Sequence, residues 1–212
     1  MSMSCSRPTP GSQPARRLGP TTLAVVALCA FCVPGSALGQ EFQVDLGERR
    51  SVRFISRTSL EEFEGVSDRI DGYVSVPDGV QEGGPFLDYR LDFEVDLAAL
   101  DSGIGLRNRH MRDNYLETAT FPFATFAAQV NRIESGGEAG MLVTAVGVLS
   151  IHGVERDATI RCGLDGNPTA GYRVRCRFPV RLADHGIEVP RVMFMKLADE
   201  VVVDVDFLVR EP

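Results

Sequence analysis

The segment Leu87-Asp88-Tyr89-Arg90-Leu91-Asp92-Phe93-Glu94-Val95-Asp96 alternates apolar and charged residues without interruption. Because successive side chains of a β-strand point to opposite faces, this segment predicts a strand with one apolar face and one charged face. A helix, or a strand buried on both faces, would show a different pattern. If several such apolar faces close around a space, the function of the protein depends on what that space holds.

The same pattern recurs towards the C-terminus. Residues 201–210 place Val201, Val203, Val205, Phe207 and Val209 on one face and mainly charged residues on the other. In residues 172–181, the outward face carries Arg173, Arg175, Arg177 and Arg181. These segments predict further strands that are apolar on one side and solvated on the other.

The mature part of the sequence consists mainly of strand-like segments separated by short turns rich in Gly, Pro and Asp. We predict strands at residues 42–46, 51–57, 68–76, 86–96, 125–133, 141–151, 158–164, 172–182 and 200–210. Short connections favour antiparallel neighbours. About eight such strands suit a closed barrel or a two-sheet sandwich, and closure would also remove exposed strand edges. The predicted class is therefore all-β and antiparallel.

Residues 96–120 depart from this pattern because they contain few β-branched residues. Residues 105–117 are rich in helix formers, and Leu106, Met111, Tyr115 and Leu116 fall loosely on one side. We predict a single short helical insertion that covers or plugs one end of the barrel.

The N-terminal segment resembles a leader. Arg7, Arg16 and Arg17 precede an apolar run at residues 23–33, which is too short to span a bilayer, and an Ala-x-Gly site ends at Gly39. We predict a signal peptide at residues 1–39, a mature domain at residues 40–212, and a periplasmic or secreted location. The alternative is an N-terminal membrane anchor.

Loss of the leader arginines leaves 19 basic and 29 acidic residues, a net charge of −10. This acidic balance argues against a nucleic-acid partner, since such binding draws on concentrated positive charge.

Two cysteines remain after cleavage, Cys162 and Cys176. A hairpin centred on Thr169 would pair residue 164 with residue 174 and residue 162 with residue 176, which brings the two sulfurs within bridging distance. In an oxidising compartment we predict a disulfide. The alternative is two buried thiols that pack as small apolar residues.

Several blocks of the sequence occur in the order of a known family. They are Phe63-Glu64-Gly65, Arg109-His110-Met111-Arg112-Asp113-Asn114-Tyr115-Leu116, Phe121-Pro122-Phe123-Ala124-Thr125-Phe126, Gly147-Val148-Leu149-Ser150-Ile151-His152-Gly153-Val154 and Asp199-Glu200-Val201. Together they resemble the motifs of the YceI-like family over essentially the whole mature chain. Two positions depart from that pattern: His185 stands where the family usually has Phe, and Arg50-Ser51 replaces His-Ser. These departures bear on which polar groups reach the cavity.

This resemblance implies an extended, lipocalin-like antiparallel β-barrel that encloses a long amphiphile, such as a polyisoprenoid, an isoprenoid quinone or a similar lipid. The apolar strand faces favour the same reading, because an apolar concavity with few polar groups suits a hydrophobic ligand. The residues predicted to face the cavity are Phe54, Phe63, Tyr89, Leu91, Phe93, Met111, Phe126 and Val203. For each of them the alternative is packing in a filled core.

Arg109, His110 and Arg112 are predicted to offer hydrogen-bond donors to the polar head of the lipid. Beyond the lipid itself we predict no cofactor. Transport, storage or presentation to a membrane redox protein would all be compatible with such a carrier, and so would transient contact with a membrane.

Two alternative functions belong to other classes. One is a structural or stress-related interaction module with a filled barrel. The other is a metal-binding factor or enzyme that uses His110, His152 and His185, although their spacing is not that of metal ligands. Ser150-Ile151-His152-Gly153 is not a nucleophile elbow. The sequence therefore predicts a binding protein and not an enzyme.

Overall fold

This computed structural model describes residues 39–57, 62–77, 89–136, 140–188, 191–192, 195–196 and 198–212. These residues form twelve strands, a helical segment between the fifth and sixth strands, and a 3-10 turn at Leu182–His185. The strands are β1 (Gln40–Val44), β2 (Ser51–Arg57), β3 (Glu62–Ser67), β4 (Ile70–Val76), β5 (Arg90–Asp96), β6 (Phe123–Ser135), β7 (Met141–Ile151), β8 (Val154–Asn167), β9 (Gly171–Arg181), β10 (Arg191–Val192), β11 (Met195–Lys196) and β12 (Glu200–Arg210).

Eight of these strands close into an antiparallel barrel. The order around the ring is β1-β4-β5-β6-β7-β8-β9-β12, and β1 closes it by pairing Gln43 with Arg210 and Val44 with Val209 on β12. The β2–β3 hairpin adds to the other half of β12, where Val202 to Asp206 pair with Ile55 to Ser51. The all-β antiparallel barrel predicted from the sequence is confirmed, and the two-sheet sandwich is excluded.

The two-residue alternation explains which residues lie inside. On β12, Val201, Val205, Phe207 and Val209 are buried. The outward Asp204 forms an ion pair with Arg177 across the β9–β12 seam, with 3.1 Å between Nη1 and Oδ2. Opposite charges on neighbouring strands stabilise this solvated face modestly.

Most predicted strands are confirmed to within a few residues at each end, and the short strands β10 and β11 were not predicted. The two largest differences are at β3 and β8. Residues 62–67 form β3, which we did not predict because its Phe-Glu-Gly core has little β-branching and a central glycine. β8 runs from Val154 to Asn167 and is longer than the predicted 158–164. Its polar terminal residues were not predicted as strand, but they also pair with β7 and β9. Residues 86–88, including Leu87 and Asp88 of the alternating segment, lie outside the described residues.

A helical segment follows β5, as predicted. Asp96 ends β5 and caps a 3-10 turn at Leu97–Ala99, since its Oδ1 accepts a hydrogen bond from the Ala98 N–H at 2.9 Å. Helix α1 (Gly105–His110) then continues into a π-helical turn at Met111–Tyr115. We call the part of the barrel where β5 ends and β6 begins the helix end, and the opposite part, where β8 turns into β9, the hairpin end.

The Cys162–Cys176 disulfide is present in the structure and joins β8 to β9. The two residues are direct cross-strand partners, and Leu164 pairs with Val174 in the same register. The hairpin register derived from the sequence is therefore confirmed.

Gly147 on β7 lets the β6–β7 seam close. A Cβ at this position would lie 2.2 Å from the Ala127 carbonyl oxygen and 2.4 Å from the Ala128 Cβ. We expect Gly147→Ala to lower the free energy of unfolding by about 2 kcal/mol or more, because the backbone of β6 must move away. Chemical denaturation measures this difference.

Gly163 on the neighbouring strand β8 is the matched control. A Cβ there would meet only the Arg175 carbonyl oxygen, at 3.9 Å. Gly163→Ala should leave stability unchanged or raise it by less than about 1 kcal/mol, since alanine reduces the freedom of the unfolded chain. Equal effects of the two substitutions would contradict the close approach at Gly147.

Candidate functional site: an apolar barrel cavity

The interior of the barrel contains a cavity of about 1110 Å³. It runs the length of the barrel, since Gln40 and Pro168 line it at the hairpin end and Leu106 and His110 line it at the helix end. Its lining is overwhelmingly aliphatic and aromatic. A concave, apolar volume of this size is typical of a site for a hydrophobic small molecule.

Small inward residues on two adjacent strands keep part of the interior open. Ala124 on β6 and Ala145 on β7 both line the cavity. Across the barrel the aromatic rings pack on one another: the Phe93 and Phe207 ring centroids are 5.1 Å apart. The interior is thus partly filled by side chains and partly empty.

Most residues predicted to contact a ligand line this cavity. They are Phe54, Phe63, Tyr89, Leu91, Phe93, His110, Met111, Phe126 and Val203. Arg109 and Arg112 are not among the lining residues, and their contact with a headgroup stays a prediction. Whether each lining residue touches a ligand also stays a prediction.

The structure adds lining residues that the sequence did not assign to the cavity. Arg107 and Tyr115 reach the cavity at the helix end, and the disulfide-bonded Cys162 and Cys176 lie in its wall. The side chain of Arg107 lies over the ring of Phe63 on β3, with 4.6 Å between its Cζ and the ring centroid. This cation–π contact joins the helical segment to the rim of the barrel.

A polar clamp holds the helical segment on β3. Asp101 forms two backbone hydrogen bonds of 2.9 Å with Val66 of β3. Its Oδ1 accepts a hydrogen bond from Asn108 Nδ2 at 2.6 Å and another from the Gly103 N–H at 2.8 Å. Asn108 is buried, and its Oδ1 accepts hydrogen bonds from the N–H and the hydroxyl of Ser102. The clamp thus fixes where α1 begins relative to the barrel.

The clamp affects the ionisation of Asp101. The hydrogen bond from Asn108 lowers the pKa of the Asp101 carboxyl below its ordinary value of 3.8, and the Gly103 N–H and the charge of Arg112 act in the same direction. A lowered pKa in the folded state means that ionised Asp101 stabilises the fold above pH 3.8. This contribution is lost as the pH falls through the lower, folded-state value.

The histidines do not form a common site. His152 and Gly153 both have positive φ, 54° and 70°, and form the two-residue turn between β7 and β8. His185 is buried, and its Nδ1 lies 3.0 Å from the Val154 carbonyl oxygen. His110 lies on α1. Within the described ranges no group of three or more His, Cys, Asp or Glu residues could hold a metal ion.

His185 therefore has a structural explanation. Its ring fills a buried position and binds the β7–β8 turn region through Val154, while the Nδ1 of His152 lies 3.3 Å from the His185 carbonyl oxygen. His185 is not among the residues that line the cavity. We expected that His185, which replaces the usual Phe of the family, would change the polar groups at the cavity. The position of His185 does not support this expectation.

Residues 42–209 match the model of the YceI-like domain. The chain belongs to the YceI-like family. This match extends from within β1 to within β12 and includes the helical segment, so the resemblance drawn from the sequence motifs is confirmed. No protein of curated function matches the chain in sequence.

Several solved structures share this fold. BcnA of Burkholderia cenocepacia superposes with a TM-score of 0.63 at 19% identity, covering 78% of this chain and 98% of that one. A polyisoprenoid-binding domain from Saccharophagus degradans, implicated in plant cell wall breakdown, gives 0.60 at 20% identity and covers 82% and 99%. The YceI protein of Campylobacter jejuni gives 0.50 at 13% identity and covers 68% and 82%. At these identities the likeness establishes the fold.

The described residues contain no helix that is both long enough and apolar enough to span a bilayer.

Asn108 provides a test of the clamp. We expect Asn108→Ala to speed amide hydrogen exchange across residues 105–115 by about tenfold or more, because the substitution removes hydrogen bonds to Ser102 and Asp101. The strands of the barrel should keep their protection.

Asn114→Ala is the matched control, since Asn114 is exposed on the same helical segment. Its exchange pattern should match that of the parent protein. Uniformly faster exchange throughout the Asn108→Ala barrel would contradict a local clamp, since it would mean that Asn108 supports the whole fold.

Proposed function

We propose that this YceI-like protein is an exported carrier or storage protein that holds one isoprenoid-type lipid, a polyisoprenoid or an isoprenoid quinone, inside its barrel. The proposal rests chiefly on one observation, the apolar cavity of about 1110 Å³ that extends from one end of the barrel to the other. A long, thin apolar molecule matches such a space better than a compact polar metabolite does.

The energetics favour an apolar tail. A hydrocarbon that moves from water into this lining gains about 25 cal/mol for each Å² of apolar surface that it buries. The lining residues of the middle of the barrel, such as Leu91, Phe126 and Val203, offer no partner to a polar group. A polar molecule there would lose its hydrogen bonds to water without replacement.

The family supports the lipid assignment. One solved structure with the same fold is described as a polyisoprenoid-binding domain. We therefore favour an isoprenoid chain over other hydrocarbons for this protein. We also favour binding over catalysis, since the lining offers few polar groups for acid–base or nucleophilic chemistry.

We place the polar head of the lipid at the helix end. Arg107, His110 and Tyr115 line the cavity there, and Arg109 and Arg112 lie on the same segment. These side chains supply hydrogen-bond donors to phosphate, hydroxyl or quinone oxygens. The tail then extends towards the hairpin end.

Export follows from the sequence of residues 1–39, which we propose is a cleaved signal peptide that leaves the domain 40–212 in the periplasm or outside the cell. A disulfide between Cys162 and Cys176 agrees with an oxidising compartment. The same location would bring the carrier near membranes that contain isoprenoid lipids.

The proposal is tested by filling the cavity from one strand. Val203 points into the cavity, whereas Val202, its neighbour on β12, lies on the outer face and is not a lining residue. We expect Val203→Trp to reduce the lipid that co-purifies with the protein by severalfold, because the indole occupies the space of the tail. Organic extraction of the natively purified protein and mass spectrometry measure the amount and identity of the lipid.

Val202→Trp makes the same change on the other face and should retain the lipid content of the parent protein. Both variants should give the circular dichroism spectrum of the parent protein, which checks that they fold. Recovery of an empty parent barrel, purified from its own cells and from a lipid-rich host, would refute the carrier function and favour the filled interaction module. Recovery of a lipid without isoprene units would refute only the isoprenoid assignment.

A further inference from the structure

We propose that the helix end of the barrel docks on the surface of an anionic lipid bilayer, with Ile104 and Leu106 inserted and Arg109 and Arg112 facing the headgroups. This inference builds on the proposed lipid carriage and names the membrane face through which the lipid would pass. It rests on two properties of the same short segment, an exposed apolar rim and a local excess of positive charge.

The apolar rim lies where the cavity reaches the surface. Ile104 is 53% exposed and Leu106 is 62% exposed, although both also line the cavity. Side chains that border the interior and the solvent at once mark an opening. Exposed apolar side chains beside a cavity mouth favour contact with a second apolar phase.

The charge of this segment is opposite to that of the protein. Residues 104–116 contain Arg107, Arg109, Arg112 and His110 but only one acidic residue, Asp113. The chain as a whole has a net charge of −7. Arg109 is exposed, whereas Arg107 is held by hydrogen bonds to Ser102.

The nearby acidic side chains of β3 have partners within the protein. Glu62 lies 2.6 Å from Arg57, and Glu64 lies 3.3 Å from Arg53, as measured between their carboxylate and guanidinium atoms. Asp101 accepts hydrogen bonds within the clamp and interacts with Arg112. The neighbouring carboxylates of β3 are therefore partly offset. Arg112 is half-buried and near Asp101, so the exposed Arg109 carries most of the positive charge that is left to face a partner.

These properties fit an anionic bilayer. Short amphipathic segments with Arg on one face and Leu or Ile on the other bind at the headgroup boundary. Each arginine near an anionic surface adds attraction, whereas the acidic wall of the barrel is repelled. The combination orients the cavity mouth towards the membrane, so that a lipid tail can pass between bilayer and barrel with little exposure to water.

The absence of tryptophan from the chain permits a direct test. Leu106→Trp introduces a single fluorophore at the rim, and Val146→Trp introduces one at an exposed site (41%) on the outer wall. With vesicles of phosphatidylglycerol and phosphatidylcholine, the emission of Trp at position 106 should shift to shorter wavelength by several nanometres. Trp at position 146 should show no shift, and neither should respond to pure phosphatidylcholine at equal lipid concentration.

The charge requirement is tested by vesicle flotation. The double variant Arg109→Gln/Arg112→Gln should bind anionic vesicles about tenfold or more weakly, whereas Arg90→Gln/Arg161→Gln, with two arginines replaced on the outer wall, should bind like the parent protein. Raising the salt concentration should weaken parental binding in the same direction.

A parent protein that fails to float with anionic vesicles would overturn the docking inference. Equal emission shifts of the two Trp variants would also overturn it. An equal loss of vesicle binding in the two double arginine variants would do the same. The lipid content of each sample, measured by extraction, reports separately on the proposed function: a lipid-loaded protein that ignores vesicles refutes docking alone, and an empty protein that binds vesicles refutes carriage alone.

Discussion

Closure of the sheet is the constraint on which the rest of this structure depends. The ends of the eight-strand ring are joined by two residue pairs of β1 and β12, Gln43 with Arg210 and Val44 with Val209, and by a hydrogen bond of 2.9 Å from the Asp45 N–H to the Leu208 carbonyl oxygen. Once the ring is closed, every second side chain of each strand must point inward, where there is no bulk water. The alternation of Val and Asp along β12 meets this requirement, and ion pairs such as Arg177–Asp204 fall on the outer face.

Closure alone does not create a binding site, because a ring of this size can be filled by its own side chains. Here small residues such as Ala124 and Ala145 face the interior on β6 and β7, and they leave part of it open. The helical segment then determines how the cavity meets solvent. Asp101 and Asn108 hold it against β3, while Leu106 stays exposed at the rim. Thus the strands enclose the cavity, and the segment between β5 and β6 forms its rim at the helix end.

The sequence predicted those features that depend on local periodicity. The apolar faces of β5 and β12, the β8–β9 register and the helical interruption were all visible, because each follows from side-chain alternation or turn chemistry. β3 was missed, since Gly65 lacks a side chain at a position where a Cβ would lie 2.2 Å from the Phe54 ring. The Asn108 clamp and the role of Arg107 were also missed, because both depend on contacts between residues of different elements. The two-residue turn at His152 shows why that motif contains histidine and glycine: both residues adopt positive φ.

The central claim is that the barrel interior holds one lipid tail in a space that the side chains leave open. A crystal structure of the natively purified protein tests this most directly. The account predicts continuous non-protein electron density that passes Leu91, Leu149 and Val203 and reaches the helix end beside Arg107. An interior in which these side chains pack against one another, with no space between the walls, would contradict it.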